Sequence, residues 1–143
     1  MILPDVNVLV TAFVEEAENH EPMREWLEGV IEKGTRLALA DVVVSGFCRV
    51  STNRKIFNSP APTDHVIGYV DTLLDSPNVL AVSAGARHWP ILCNLLKAAR
   101  VSGPMITDAH IAALALEHGC RVATRDLDFA RFEGLDWFDP LVS

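Results

Sequence analysis

The sequence predicts an α/β protein in one domain over residues 1–143, with a central, mainly parallel sheet of about five strands and helices on both faces. Short apolar runs of strand length alternate along the chain with apolar stripes at helical spacing. Such alternation implies crossover connections, which place strands side by side in parallel and cover both faces of the sheet. Pro, Gly and Ser clusters punctuate the elements, and none is long enough to divide the chain into domains. A chain of 143 residues, 50% of them hydrophobic, is one domain in size and can bury roughly two-thirds of its unfolded surface.

The apolar start from Met1 reads as a strand with Asp5 at its C-terminal end. Met23, Trp26, Leu27, Val30 and Ile31 repeat at helical spacing, which predicts a helix from about Pro22 to Lys33 stopped by Gly34. Arg36 to Ala40 reads as a strand, and Val42 to Thr52 as a helix despite its β-branched residues. Asn58 to Pro62 is a linker, after which Thr63 or Asp64 caps a helix with Val66, Val70, Leu73 and Leu74 on one face. That helix ends before Ser76-Pro77, because the residue preceding a proline avoids helical backbone.

Asn78 to Ser83 is a further strand, and Ile91, Leu92, Leu95, Leu96 and Ala99 stripe a helix ending near Ser102-Gly103-Pro104. Next comes an amphipathic helix with Thr107 or Asp108 as N-cap and Gly119 as C-cap. Cys120 to Thr124 is a short strand followed by an acidic turn, and Leu135 to Phe138 a last short strand at the sheet's edge.

Charge and cysteine usage narrow the function. A formal net charge of −7 argues against a general nucleic-acid coat protein, which would be basic, while leaving room for a nuclease whose acids cluster at a site. Cys48, Cys93 and Cys120 are odd in number and widely spaced, so neither a disulfide framework nor a zinc site is indicated, and a reducing cytoplasm is the expected compartment. No leader-like apolar segment precedes Asp5 and no run is long enough to span a bilayer, so no membrane partner is expected. None of the five histidines sits in a triad or metalloprotease setting, which makes Ser or Cys nucleophilic chemistry a poor fit.

The chemistry-bearing pattern is acidic. Asp5 ends the first strand, Asp108 stands in the first turn of a helix, and Asp126 follows the Cys120 to Thr124 strand. Ligand sites in open α/β sheets lie outside the carboxyl ends of the strands, so three chain-distant acids can converge on one rim. Carboxylates so gathered repel each other, and a hard divalent cation relieves the repulsion better than protons do. At any one of these positions an Asp also serves as an ordinary cap or turn residue. Arg49, Arg54, Lys55 and Arg125 are the basic residues placed to steer an anionic backbone past such a site, Arg125 foremost because its neighbour belongs to the rim.

Four motifs in order, Asp5-Val-Asn7, Ser45-Gly-Phe-Cys-Arg49, Thr107-Asp108 and Thr124-Arg-Asp126-Leu-Asp128-Phe129, resemble those of the PIN-domain ribonucleases. Within that family the chain is similar to the VapC toxins of bacterial toxin–antitoxin pairs, from Met1 to about Pro140. The resemblance implies a PIN-like fold and Mg²⁺-dependent hydrolysis of RNA phosphodiester bonds, with Mn²⁺ able to substitute. Asp5, Asp108 and Asp126 would be the metal-binding acids, Asp128 a fourth, and Asn7, Thr107 and Thr124 residues that orient them. It further implies a homodimer and a cognate antitoxin that inserts an apolar or basic segment into a groove, for which the surroundings of Phe47, Val50, Ile56 and Phe57 are candidates.

One departure stands out. The family places a Glu three residues before the arginine of the middle motif, and here that position is Gly46. Asp128 ranks ahead of Asp41 as compensation, because Asp41 lies more than a helical turn from Gly46. The glycine keeps a second reading open, a PIN-like module that binds RNA or antitoxin without cutting. An Asp-nucleophile phosphotransferase is the other competitor, but Asn7 stands where it would carry Asp.

Overall fold

A computed structural model describes residues 1–142. Its strands, β1 (Ile2–Pro4), β2 (Leu37–Ala40), β3 (Val79–Val82), β4 (Arg121–Ala123) and β5 (Trp137–Phe138), form one sheet in the order β3-β2-β1-β4-β5. Every neighbouring pair is parallel, so the sheet expected to be mainly parallel is wholly so. Six helices surround it: α1 (Val6–Phe13), α2 (His20–Glu32), α3 (Asp41–Ser51), α4 (Thr63–Leu74), α5 (His88–Ala99) and α6 (Met105–His118).

The order of the strands positions the site. Right-handed crossovers carry the chain from β1 to β2 to β3 along one face by way of α1 to α4, then back from β3 to β4 along the other by α5 and α6. The packing agrees, α1 lying against α2 and α3, α3 against α4, and α5 against α6. Winding therefore reverses between β1 and β4, and a crevice opens there beyond their carboxyl ends. All four β2 residues are buried, as a strand covered on both faces must be.

Several elements depart from their expected form. Val6–Phe13, to which periodicity assigns no helix, is α1: its apolar residues, with Val8, Leu9, Val10 and Ala12 buried, take one side and Asn7 and Thr11 the other, but eight residues following directly on β1 are too few for that stripe to stand apart from the strand. Helix α6 is buried almost all round, by Ala109, Ile111, Ala112, Ala113, Leu114 and Ala115, and is not the amphipathic helix expected. It also starts one turn early. Pro104, its φ already helical, takes the N-cap position, so neither Thr107 nor Asp108 caps the helix. Pro62 displaces Thr63 and Asp64 from the cap of α4 in the same way. Gly119 ends α6 at φ +68°, a left-handed backbone that favours glycine.

His88, the first residue of α5, is 7% exposed, and neither of its ring nitrogens has a hydrogen-bond partner among the described residues. Its ring lies 4.4 Å from that of His110 on α6. A phenyl ring keeps that packing and removes two unpaired polar atoms, so His88→Phe is expected to raise stability by about 1 kcal/mol in a urea melt. A loss of stability would mean that the imidazole makes a bond this packing does not contain.

Candidate active site

Asp5 follows the last residue of β1 and caps α1. Its backbone N–H donates to the Ala123 carbonyl at 2.9 Å, which seats it beside the end of β4. The Val6 N–H donates to Asp5 Oδ1 at 2.7 Å, while Oδ2 accepts from the Thr124 hydroxyl at 2.7 Å and from Asn7 Nδ2 at 3.0 Å. Thr124 is fully buried, and its Oγ1 also accepts from Asn7 Nδ2 at 3.1 Å and from the Asp126 N–H at 3.0 Å. One hydroxyl thus uses its single donor and both its acceptor positions to tie β1, α1 and the segment after β4 together. Asn7 completes the lock by accepting the Arg125 N–H at 3.2 Å.

Asp126 holds the segment beyond Thr124 by accepting the Asp128 N–H at 2.9 Å, which starts a 3₁₀ turn over Leu127–Arg131. Asp108, freed from capping, projects from the first turn of α6. Asp5, Asp108 and Asp126 line one cavity of about 690 Å³ together with Asn7 and Thr107. Asp5 and Asp126 are caps and line the cavity at once. A larger cavity, about 1000 Å³ between α2 and α4 and floored by Phe13, Leu27, Tyr69 and Leu73, contains none of these acids.

The acids act on one another. Burial, joined by the charges of Asp5, Asp126 and Asp128, pushes the Asp108 carboxyl up to about 6. Burial also raises Asp5, against the pull of its Thr124 and Val6 hydrogen bonds. Among the described residues, no three His, Cys, Asp or Glu side chains are drawn into a ready-made ligand cluster. The three acids therefore face a common space with uncompensated charge instead of closing on one point.

Other expected residues lie elsewhere. Asp128 is exposed, off the cavity wall and 3.8 Å from Arg131, so it reaches Asp108 through its charge alone. Arg125, the foremost candidate for RNA, points its guanidinium at Asp139 at 3.1 Å because β5 brings that acid alongside. Arg54 and Lys55 are exposed beyond α3, and among the described residues Arg49 is the basic side chain on the cavity wall. Asp41 is exposed at the start of α3, accepts the Val42 N–H at 2.8 Å and lies off the wall. Glu18, on the turn between α1 and α2, does line the cavity, and nothing in its local sequence singles it out. Of the proposed antitoxin surroundings, Phe47 is core, packed on Phe13 and Tyr69, whereas Val50 and Phe57 line the cavity.

Gly46 has a steric reason to be glycine. A Cβ there would meet Val6 Cγ2 at 2.8 Å, because α3 passes α1 closely at this point. Val6 is β-branched and cannot swing aside cheaply. Gly46→Glu alone is expected to cost about 1–3 kcal/mol in a denaturant melt. A clean test of the missing carboxylate needs Val6→Ala beside it, and an unchanged melt for Gly46→Glu alone would show that the helices give way.

A parallel sheet whose winding reverses at a rim of three acids defines a PIN-like protein, and the chain belongs to the PIN-domain family, whose model matches residues 2–135. Its relatives in that family carry VapC names. It is 35% identical over 141 residues to ribonuclease VapC33 of Mycobacterium tuberculosis, covering 99% of each chain. To ribonuclease VapC43 of the same organism it is 38% identical over 141 residues, covering 99% of this chain and 96% of the relative. Among solved structures, VapBC2 from Rickettsia felis bound to a DNA fragment from its promoter matches with a TM-score of 0.72 at 18% identity, over 97% of this chain and 98% of that one. That last likeness speaks for the fold.

Proposed function

We propose that the protein is a divalent-metal-dependent endoribonuclease, the toxin of a type II toxin–antitoxin pair. The observation that carries this is the Asp5, Asp108 and Asp126 rim at the winding reversal, in a chain 35% identical to a named VapC ribonuclease. The donor set fits the cation. It is hard oxygen with no Cys or His on the wall, and a divalent charge would offset both the burial and the neighbouring carboxylates that disfavour a charged Asp108. Bound there, Mg²⁺ or Mn²⁺ supplies an activated water and neutralises charge developing on the phosphate.

The chain's own residues do the positioning. Asp5 stays oriented because three donors converge on its carboxylate, and Asn7 and Thr124 keep the Asp126 segment in register with it. Thr107, exposed on the cavity wall, would orient the acids or the attacking water. Arg49 supplies the neighbouring positive charge. The expected homodimer and cytoplasmic setting accompany this reading, and sizing of the purified protein tests the first.

The experiment is cleavage of single-stranded RNA by purified protein with Mg²⁺ or Mn²⁺, then with chelator. Metal-dependent fragments support the reading, and intact RNA at every metal concentration opposes it. A binding module remains the second reading because Val6 occupies the space a Glu at position 46 would need. The product of an adjacent small open reading frame, added in equimolar amount, is expected to stop the cleavage. Uninhibited cleavage would count against it as the antitoxin.

Stability and metal are linked through pH. A carboxyl raised in the folded state binds its proton more tightly there than in the unfolded chain. Its contribution is therefore present at low pH and lost as pH climbs from the ordinary Asp range near 3.8 through about 6. Without metal, this share of the stability is expected to fall between those pH values. Added Mn²⁺ is expected to raise Tm little at pH 5 and more at pH 7, where Asp108 is charged. An equal Tm rise at both values would detach the cation from this carboxylate.

A further inference from the structure

The cavity beside the acids has a second wall that the chemistry above leaves unused. Val50 at the end of α3 and Phe57 on the following loop line it, as does Arg49. The Phe57 wall is held in place. Its backbone N–H donates to the Asn53 carbonyl at 3.1 Å, and the next two N–H groups, of Asn58 and Ser59, donate to the Glu16 carboxylate at 3.1 and 2.7 Å. The loop thus stands pre-formed against the turn that carries Glu18.

Charge alone gives RNA little reason to stay. The cavity wall carries Asp5, Glu18, Asp108 and Asp126 against a single Arg49, in a chain of net charge −7. A cation offsets some of that, and the rest of the hold on a strand has to come from contacts that do not depend on charge. Unpaired bases supply them by stacking on aromatic faces, whatever their identity. A pre-ordered aromatic and aliphatic wall, opening into the same space as the acids, meets that need.

We propose that Val50 and Phe57 form a nucleobase subsite, in which one unpaired base next to the cut phosphate stacks on Phe57 while Arg49 pairs with a flanking phosphate. This rests on the ribonuclease reading and adds to it a requirement for one unpaired base beside the cut phosphate. Phe57 is then a binding residue, and its loss moves KM more than kcat. The wall also makes RNA binding less salt-dependent than in a basic nuclease, because few phosphates are neutralised.

The test has two arms, cleavage kinetics of a single-stranded oligoribonucleotide and the fluorescence of the same strand carrying 2-aminopurine at the flanking position. The second is read on the Asp5→Asn protein with Mg²⁺ so that the strand stays whole. Phe57→Ala is expected to raise KM about tenfold or more with a smaller change in kcat, Phe57→Trp to stay near the parent, and 2-aminopurine to be quenched only when the aromatic ring is present. Phe57→Leu keeps the bulk without the aromatic face, so it separates lost stacking from lost folding.

Cleavage by the parent with equal KM in Phe57→Ala and Phe57→Leu, and no quenching, overturns the subsite and leaves the nuclease standing. Quenching without cleavage retains the subsite and removes the nuclease. Neither cleavage nor quenching removes both. If Phe57→Ala weakens antitoxin binding and leaves RNA untouched, the wall serves a protein and the proposal falls.

Discussion

Replacing Asp5 by Asn is expected to lower the proposed metal-dependent RNA cleavage at least about a hundredfold, the upper end of what losing a supporting partner costs at a metal site. Three features make this the largest expected loss. Asp5 is 5% exposed, it faces Asp108 and Asp126 across one cavity, and its carboxylate is oriented by Val6, Asn7 and Thr124. The amide is close in shape, so folding should survive. It removes a buried negative charge, which favours the metal-free protein, but its NH₂ cannot accept from the Val6 N–H, which does not. Tm without metal is therefore expected to change little, while the rise produced by Mn²⁺ disappears. Full cleavage in Asp5→Asn would remove this residue from the chemistry.

The largest expected loss of stability from a single polar atom is at Thr124. Thr124→Val keeps the β-branched shape inside a fully buried site and deletes a hydroxyl with three partners. Asp5 loses a donor, and Asn7 Nδ2 and the Asp126 N–H lose an acceptor. Buried groups left unpaired cost about 1–3 kcal/mol each, with Asn7 partly compensated by its bond to Asp5, so a loss of about 3 kcal/mol is expected in a urea melt. Asp5 moves still higher in pKa, since the Thr124 bond is the strongest influence lowering it. Cleavage is expected to fall about 10- to 100-fold. Thr124→Ser, which keeps the hydroxyl, should recover most of both, and a silent Thr124→Val would show that the hydroxyl is not the tie between β1 and β4.

Much of this was legible locally and some was not. The strands, α2, α4 and α5 follow from periodicity and from Gly and Pro punctuation, because their burial is one-sided or bounded by breakers. Helix α6 was placed by its Gly119 stop although residues buried almost all round leave it no stripe, whereas α1, eight residues following directly on β1, is too short for its stripe to stand apart from the strand. Asp5 and Asp126 could be placed at strand ends from their neighbours alone. Asp108 could be assigned to the right turn, but the cap reading offered beside its site role fails, because Pro104 takes the N-cap position and the carboxylate lines the cavity.

The arginines show where local reading stops. Arg125 sits beside Asp126 in sequence, yet it is turned to Asp139 by the pairing of β4 with β5, a contact fourteen residues away. Arg49 and Phe57 reach the cavity only through the packing of α3 against α1, the same contact that explains Gly46. The winding reversal between β1 and β4 depends on long-range register, which no single segment encodes.

Mn²⁺ binding followed by electron paramagnetic resonance, at pH 7, in the parent and in the Asp5→Asn, Asp108→Asn and Asp126→Asn proteins tests the shared site most directly. If the three acids hold one cation together, the parent binds Mn²⁺ and each substitution weakens binding at least about tenfold, with Asp41→Asn unchanged as the control. Parent-like binding in all three variants, or no binding by a folded parent, would contradict a metal site at this rim.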